Sequence, residues 1–415
     1  MTDIPRFADE RFRRQFELIQ RSFRERGIPL AVQEDGGQAV AIYASDRMQV
    51  RREYEDAVRD LFDGGLPRAD VRSIPGLVVL LVEGRDVTEV LARIADQLGP
   101  GVASYCHVLS ISPVACCPGT EPDPPGLGGE DVPPCPPPRD GGGDHPVRVG
   151  VSDTGLLDDA AATHPWLQGV TGETDPLGAA DPATGLPTIP PYAGHGSFIA
   201  GVARCVAPDA QVHVDDHLPT VFAGADFDYA IVAKLVDLLE RGVDVINLSA
   251  GGTTVDGGPM MAFEVFHDEH LERFPDVVVI AAAGNNANDV PFWPAAADWA
   301  TGVGALAADG VHRAWFSNWG RSADVWAPGE ALVNAFASGL YTYDEPPRTG
   351  AQEVFSGMAR WNGTSFATPV VVGLVADRMS RTGETARQAL VEVMAVATAQ
   401  AIPGLGPALD PGQLI

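Results

Sequence analysis

The chain has 415 residues, 45% of them hydrophobic, and its formal net charge is −28 at pH 7. Because typical domains have roughly 100–200 residues, we expect two domains, each with its own apolar core. The acidic balance argues against a nucleic-acid partner, since phosphate binding needs clustered Lys and Arg. A membrane partner is not expected either, because no stretch approaches the roughly 18 consecutive apolar residues of a membrane helix.

The N-terminal segment "MTDIPRFADERFRRQFELIQRSFRERG" is charged throughout. Its apolar residues recur at helical spacing, which predicts a surface helix with one apolar face made by Phe12, Phe16, Ile19 and Phe23. The segment lacks the continuous apolar core of a signal peptide, which favours a cytoplasmic location. Export by another route stays open.

Short strands and helices alternate in the rest of residues 1–115. Alternating and continuous apolar runs predict strands at 39–44, 77–84 and 102–112, and one more near 69–73. Helices are predicted at 49–65 and at 86–99, the second with Asp86 as its N-cap. The resulting βαββαβ order predicts a small α+β, ferredoxin-like domain.

Residues 116–146 are roughly half proline and glycine, a composition typical of an extended linker between domains. Three of the five cysteines lie here: Cys116, Cys117 and Cys135. No cysteine spacing indicates zinc, and free thiols are expected in a reducing cytosol. In an exported protein, Cys135 would be able to pair with Cys116 or Cys117.

In residues 147–415, Val/Ile-rich strands bounded by glycine alternate with helices. Continuous apolar strands are typical of a parallel sheet covered on both faces, so we predict a doubly wound α/β domain. Ligand sites in such domains form where the strands end. His267 and His270, in "HDEH", are predicted to lie on a solvated helix rather than to bind metal.

Four polar residues stand at strand ends or helix starts: Asp153 in "VGVSDTG", His195 in "GHGSFIAGV", Asn285 in "AAAGNN" and Ser365 in "GTSFATP". Each has an ordinary structural interpretation when taken alone, as a turn residue or a buried polar group. Together they match the needs of nucleophilic catalysis. A serine hydroxyl needs an adjacent base, and the free N–H groups of a helix start can stabilise an oxyanion. Pro369 is expected in the first turn of that helix.

In this order the residues resemble the subtilisin-like serine peptidases. The resemblance covers roughly residues 147 to 411 and includes the motifs "DTG", "HGSFIAG", "NLSAGG", "AAAGN", "FSNWGRSADVWAPG" and "NGTSFATP". It implies that Asp153, His195 and Ser365 form a catalytic triad acting through an acyl-enzyme, with Asn285 as an oxyanion donor. It also implies that Ser249, Ala250 and Gly251 bind the substrate backbone as an added β-strand. With Ala281, Ala282, Ala283 and Gly284 they would also wall the primary specificity pocket, and the small size of these residues predicts an open, apolar pocket.

The resemblance also has departures and open points. Val370 stands where the family often has a histidine outside the triad, and Ser197 stands where threonine is commoner. A long insertion before Ser365 is expected to border the active site and restrict substrates. No cofactor is implied for catalysis, no metal ligands are predicted, and the calcium sites common in the family do not map onto particular residues.

Residues 1–115 resemble the family's propeptide. That resemblance implies an intramolecular inhibitor and folding assistant. The implied substrate is a polypeptide, and we expect one particular precursor. Two alternatives remain: a sedolisin-like peptidase, disfavoured because His195 stands where sedolisins use glutamate, and a catalytically silent binding module held closed by its N-terminal domain.

Overall fold

The computed structural model describes residues 8–35, 38–111, 120–126, 134–220 and 223–410. The N-terminal domain contains, in chain order, α1 (Ala8–Arg24), β1 (Leu30–Asp35), β2 (Gln38–Arg51), α2 (Glu55–Asp60), β3 (Leu77–Leu81), α3 (Val87–Leu98) and β4 (Ala103–Ser110). Asp86 caps α3 as predicted, since its carboxylate accepts hydrogen bonds from the amides of Thr88 and Glu89.

Two predictions for this domain are wrong. The helix predicted at 49–65 begins only at Glu55, because residues up to Arg51 continue β2 and pair with β3 and β4 on its two sides. Pairing on both edges outweighs the local helical pattern. Residues 69–73 form no strand, and the remaining strand is instead β1, which forms an antiparallel pair with β2.

The second domain begins with β5 (Arg148–Asp153), α4 (Ala160–Thr163), β6 (Thr171–Gly172), β7 (Thr188–Ile189), α5 (His195–Val206), β8 (Gln211–Asp216), β9 (Ala225–Phe227), α6 (Asp228–Glu240) and β10 (Val245–Leu248). It continues with α7 (Met261–Glu269), β11 (Val278–Ala282), β12 (Ala300–Leu306), β13 (Val325–Pro328), β14 (Leu332–Thr342), β15 (Gln352–Trp361), α8 (Thr364–Thr382) and α9 (Ala386–Ala399).

Among the described residues, seven strands form the central sheet in the order β13-β12-β11-β10-β5-β8-β6, and all neighbours are parallel. Alternate strand residues enter two separate cores. Val245 and Ile280 pack with α5, α8 and α9 on one face, and Ile246 and Val279 pack with α6 and α7 on the other. The predicted doubly wound α/β fold is confirmed.

The N-terminal sheet is covered on both faces. Met48 and Val78 pack against α2 and α3 of the same domain. Ile42 and Val79 belong to the core that includes α6 and α7 of the second domain. At the edge, β4 pairs with β9, so the two domains share a continuous sheet contact.

The described parts of the predicted linker lie on the second domain. Asp123 pairs with Arg360 in β15, and Cys135 pairs with Val333 in β14. The insertion before Ser365 is the antiparallel hairpin of β14 and β15. None of the described helices combines the length and the hydropathy that a membrane span requires.

Candidate active site

Asp153 and His195 are brought together by β5 and α5. Asp153 is the last residue of β5, and His195 is the first residue of α5. The Nδ1 atom of His195 lies 2.7 Å from Oδ1 of Asp153, and both side chains are buried. This contact holds the imidazole in one orientation and leaves Nε2 as the atom able to accept a proton.

A buried network positions the start of α5. The carboxylate of Asp175 accepts from Thr154 Oγ1 at 2.8 Å and from the Gly194 amide at 2.7 Å. Thr154 Oγ1 in turn accepts from the amide of Gly196 at 3.1 Å. Burial raises the pKa of Asp175 to about 7. The network thus fixes the backbone on both sides of His195, although sequence analysis had not singled out Asp175.

The glycines on both sides of His195 let the backbone approach neighbouring segments closely, as expected. A Cβ on Gly196 would lie 2.4 Å from the carbonyl oxygen of Gly155. Gly194 has φ +85°, in the left-handed region that favours glycine. The imidazole packs against two aromatic rings that also contact each other, with its ring centroid 5.3 Å from that of Trp361 and 5.1 Å from that of Phe366.

Ser365 is the second residue of α8, where an amide N–H has no partner within the helix. Its Oγ donates to the carbonyl oxygen of Ser249 at 3.2 Å. The hydroxyl must therefore turn away from Ser249 before it can donate to His195. Catalytic hydrogen bonds often tighten only when substrate is bound, so this apo geometry is compatible with nucleophilic attack.

Pro369 lies one turn further into α8 than predicted. It is the sixth residue of the helix, so the carbonyl of Ser365 lacks the N–H that residue 369 would normally supply. The Oγ of Ser249 donates to this carbonyl at 2.8 Å. Asn247 Nδ2 donates to the same Oγ at 2.9 Å and holds it in place. Ser249 thus completes a helix interrupted by proline beside the candidate nucleophile.

Asn285 is held by the residue before Ser365. Its Oδ1 accepts from both the amide and the Oγ1 of Thr364, at 2.8 and 2.9 Å. Because the oxygen end of the amide is occupied, the Nδ2 end is the one left to face the cavity that Asn285 lines with Ser365. Asn and Gln orientations are assigned from such networks, and two donors on Oδ1 define this one.

The predicted substrate-binding residues divide into two groups. Ser249, Ala250, Ala282 and Gly284 line one cavity together with Asn285 and Ser365. Gly251, Ala281 and Ala283 lie within the described part of the chain but do not line that cavity. Ala281 and Ala283 are fully buried, and the backbone of Gly251 pairs with Ser110. Phe292, which the sequence analysis missed, also lines the cavity.

The end of the N-terminal domain enters this cleft. Ser110 and Gly251 exchange two backbone hydrogen bonds, of 3.0 and 3.3 Å, as an antiparallel pair. The amide of Ile111 donates to the carbonyl of Gly224 at 3.1 Å. The side chain of Ile111 then lines both cavities that border Ser365. Residues 108–111 therefore lie between two backbone segments, as an added strand would.

Other residues named in the sequence analysis lie away from these cavities. His270 is buried rather than solvated, with Nε2 3.2 Å from the carbonyl oxygen of Pro75. Cys106, Cys135 and Cys205 are free thiols, whereas the pairing considered for Cys116 and Cys117 lies outside the described residues. Across the described ranges, no cluster of three His, Cys, Asp or Glu side chains suits a metal ion.

Comparison with known proteins identifies the family of this chain. Residues 144–406 match the model of the subtilase family, Peptidase_S8. The chain is 29% identical to subtilisin DY of Bacillus licheniformis over 248 residues, covering 57% of this chain and 77% of subtilisin DY. It is 27% identical to thermitase of Thermoactinomyces vulgaris over 270 residues, covering 63% of this chain and 83% of thermitase.

A solved structure resembles the fold over most of the chain. Fervidolysin from Fervidobacterium pennivorans, described as a keratinolytic enzyme related to subtilisin, aligns with a TM-score of 0.61 and 18% identity. The alignment covers 92% of this chain and 62% of fervidolysin, and at this identity it supports the fold alone. The family model matches more than half of the residues of this chain, so the chain belongs to the subtilase family. It is a subtilisin-like serine peptidase.

Proposed function

We propose that this protein cleaves peptide bonds within polypeptides, with Asp153, His195 and Ser365 as its catalytic triad. The observation that carries the proposal is the 2.7 Å contact of His195 with Asp153 beside a cavity that His195, Asn285 and Ser365 line together. An imidazole fixed by a carboxylate next to a serine hydroxyl is the arrangement that makes serine nucleophilic.

In the first step, Ser365 Oγ attacks the carbonyl carbon of the peptide bond and His195 Nε2 takes the hydroxyl proton. Asp153 stabilises the imidazolium through Nδ1–H and stays ionised. The negative oxygen of the tetrahedral intermediate is placed to accept from the Ser365 amide and from Asn285 Nδ2. Collapse breaks the C–N bond, His195 gives its proton to the leaving amine, and an acyl-enzyme remains. Water then repeats the sequence and releases the acid.

We further propose that residues 108–111 act as an intramolecular inhibitor. The pairing of Ser110 with Gly251 and the position of Ile111 support this role, because they fill the side of the cleft where the acyl half of a substrate would lie. Added peptides must displace this strand. A narrow substrate range, such as one precursor polypeptide, is supported by the β14–β15 hairpin whose Trp361 borders the cavity.

The same closed cleft favours the alternative of a silent binding module. The deciding experiment is labelling of the full chain by a fluorophosphonate probe, which needs an activated serine. We expect labelling of the protein but not of Ser365→Ala, and hydrolysis of a peptide library detected by mass spectrometry. Because residues 108–111 would also shield Ser365 in an active peptidase, the silent module is favoured only if both reactions are absent in correctly folded Ile111→Glu as well, where that strand is weakened.

A further inference from the structure

A short segment that follows the N-terminal domain lies on the β14–β15 hairpin beside the active site. The amide of Asp123 donates to the carbonyl of Arg360 at 2.8 Å, and the amide of Arg360 donates back at 2.7 Å. β15 is the edge strand of its sheet, so residues 120–123 extend that sheet by an antiparallel pair. Backbone pairing of this kind is how peptides bind to exposed strand edges.

The side chain of Glu121 enters a pocket made by the β14–β15 hairpin. Its Oε1 accepts from the Tyr341 hydroxyl at 3.0 Å and from the amide of Asp344 at 2.8 Å. Its Oε2 accepts from the amide of Glu345 at 3.1 Å. We name these three donors the Tyr341 pocket. Since donors face both oxygens, the pocket suits a carboxylate, whereas a glutamine would direct an NH₂ group at a donor.

Burial raises the pKa of Glu121, and the three donated hydrogen bonds oppose that rise by favouring the ionised form. Only 7% of Glu121 is exposed. A buried carboxylate is costly unless its oxygens are hydrogen-bonded, and here both are. The pocket is therefore built around this group rather than merely tolerating it.

Neighbouring contacts hold the segment on both sides of Glu121. The Tyr343 hydroxyl donates to the carbonyl of Pro122 at 3.2 Å, and Arg348 pairs with Asp123 at 2.5 Å. Nearer the active site, the indole N–H of Trp361 donates to the carbonyl of Thr120. Asn362 Nδ2 donates to the Thr120 hydroxyl at 2.7 Å.

The segment borders the catalytic residues next to Trp361 and Asn362, away from the Ser249–Ala250 wall that residues 110 and 111 cover. Thr120 and Ile111 line the same cavity as His195 and Ser365. If residues 108–111 mark where the acyl half of a substrate binds, then Thr120 and the Tyr341 pocket mark the leaving-group side. The orientation of the cleft is the only part of this inference that rests on the proposed function.

We propose that the Tyr341 pocket is a carboxylate-binding subsite on the leaving-group side of the cleft. Glu121 fills it in the intact chain, so the chain closes both halves of its own cleft. When Glu121 is absent, the pocket takes an acidic side chain of a bound peptide. The pocket thus selects substrates with an acidic residue after the cleaved bond.

The direct test uses the full chain with residues 120–123 replaced by Gly-Ser-Gly-Ser. The affinity of this variant for the acetylated, amidated tetrapeptide Thr-Glu-Pro-Asp is compared with its affinity for Thr-Gln-Pro-Asp. Isothermal titration calorimetry or fluorescence polarisation measures both. We expect the Glu peptide to bind at least about tenfold tighter, because a charge-assisted hydrogen bond typically contributes that factor. Equal affinities, or no binding of the Glu peptide at millimolar concentration, would overturn the proposal.

A second measurement does not depend on whether the variant with residues 120–123 replaced folds correctly. Hydrogen exchange at residues 120–126 is compared in the full chain, Glu121→Gln, Tyr341→Phe and the control Glu384→Gln. Glu384 pairs with Arg378. Glu121→Gln fills the same space but mismatches the donors, so we expect faster exchange in it and in Tyr341→Phe, with no change in the control. Unchanged hydrogen exchange in Glu121→Gln would show that Glu121 only fills space there, and it would overturn the proposed carboxylate subsite.

Neither readout requires catalysis, so failure of the subsite is distinguishable from failure of the proposed function. Loss of fluorophosphonate labelling bears on Ser365 alone. Equal binding of the two tetrapeptides bears on the Tyr341 pocket alone.

Discussion

The Oγ1 of Thr364 donates to Asn285 Oδ1 at 2.9 Å while accepting from the amide of Gly284 at 3.1 Å. One threonine thus ties the candidate oxyanion donor to the residue before the candidate nucleophile. The relationship makes Thr364 a positioning residue, because it acts on substrate only through the orientation of Asn285.

The first prediction concerns this pair. Asn285→Ala should lower kcat about 10²–10³-fold through loss of an oxyanion donor, with little change in KM. Thr364→Val should lower kcat by less, because the Thr364 amide still donates to Asn285 Oδ1. The double variant should be no slower than Asn285→Ala. The control is Thr368→Val, whose hydroxyl donates to the Thr364 carbonyl within α8. If the losses of kcat were additive in the double variant, Thr364 would not act through Asn285.

The second prediction concerns the carbonyl that Pro369 leaves without a helical donor. Ser249→Ala should destabilise the protein by about 1 kcal/mol, the typical net contribution of one hydrogen bond. Pro369→Ala restores an N–H at this position, so Ser249→Ala should cost less in that background. Urea unfolding of the four proteins of this double-mutant cycle measures the coupling. Equal costs in both backgrounds would mean that Ser249 does not substitute for the missing helical bond.

The third prediction concerns the packing of α5 and α8, the helices that carry His195 and Ser365 in their first turns. A Cβ on Gly373 of α8 would lie 2.6 Å from the Cβ of Val206 in α5. Gly373→Ala should therefore destabilise by about 1–3 kcal/mol despite alanine's higher helix propensity. The matched control is Gly258→Ala, where the nearest atom would lie at an ordinary 3.5 Å. A stabilised Gly373→Ala protein in thermal unfolding would contradict this account of the α5–α8 contact.

The fourth prediction is a pH dependence of stability from Asp175. Its pKa is about 7 in the folded state against an ordinary 3.8. A raised pKa means that the folded protein holds the proton more tightly, so stability is fully present below about pH 3.8 and is lost as pH rises towards 7. Asp175→Asn cannot ionise, and it should be more stable than the unchanged protein at pH 8 but about equal at low pH.

The slope of that stability difference should approach 1.36 kcal/mol per pH unit between the two pKa values. Denaturant unfolding from pH 4 to pH 8 measures it. Asp181→Asn, at a partly exposed carboxylate whose pKa is lowered by hydrogen bonds from Thr184, should show no such gain at high pH. A parallel pH profile for Asp175→Asn and the unchanged protein would refute the assignment.

The fifth prediction tests the intramolecular strand. Ile111→Glu places a charge where an apolar side chain packs against Gly224, so residues 108–111 should bind the cleft less tightly. Hydrolysis of an added fluorogenic peptide by the full chain should rise. Val391→Glu, at a position 62% exposed on α9, should change nothing. Equal rates in the two variants would argue against inhibition by this strand.

Much of the site could be anticipated from local pattern. Asp153, His195, Asn285 and Ser365 each stand directly after an apolar run or before a helical one, and parallel strands place such ends along one edge of the sheet. Asp86 was identifiable as an N-cap because capping depends on nearest neighbours. The helix predicted at 49–65 failed for the complementary reason, since pairing with β3 and β4 overrode the local periodicity.

Contacts between distant segments could not be predicted from local sequence pattern. Nothing near Glu121 in a proline-rich run indicates that its carboxylate meets Tyr341, some 220 residues away. Asp175 and Phe292 likewise show no local motif, and their roles follow from what the folded chain places beside His195 and Gly251. Ala281 and Ala283 share the motif of Gly284, yet their burial within or beside β11 removes them from the cavity wall.

The amino-acid order by itself determined the alternation of strands and helices, the class of domain and the four polar residues at their ends, because period, capping and turn chemistry are local properties. The tertiary structure alone decided which hydroxyls and amides hold those four residues, and which parts of the chain cover them. Those contacts join residues tens to hundreds of positions apart, and their energies exist only once the segments meet.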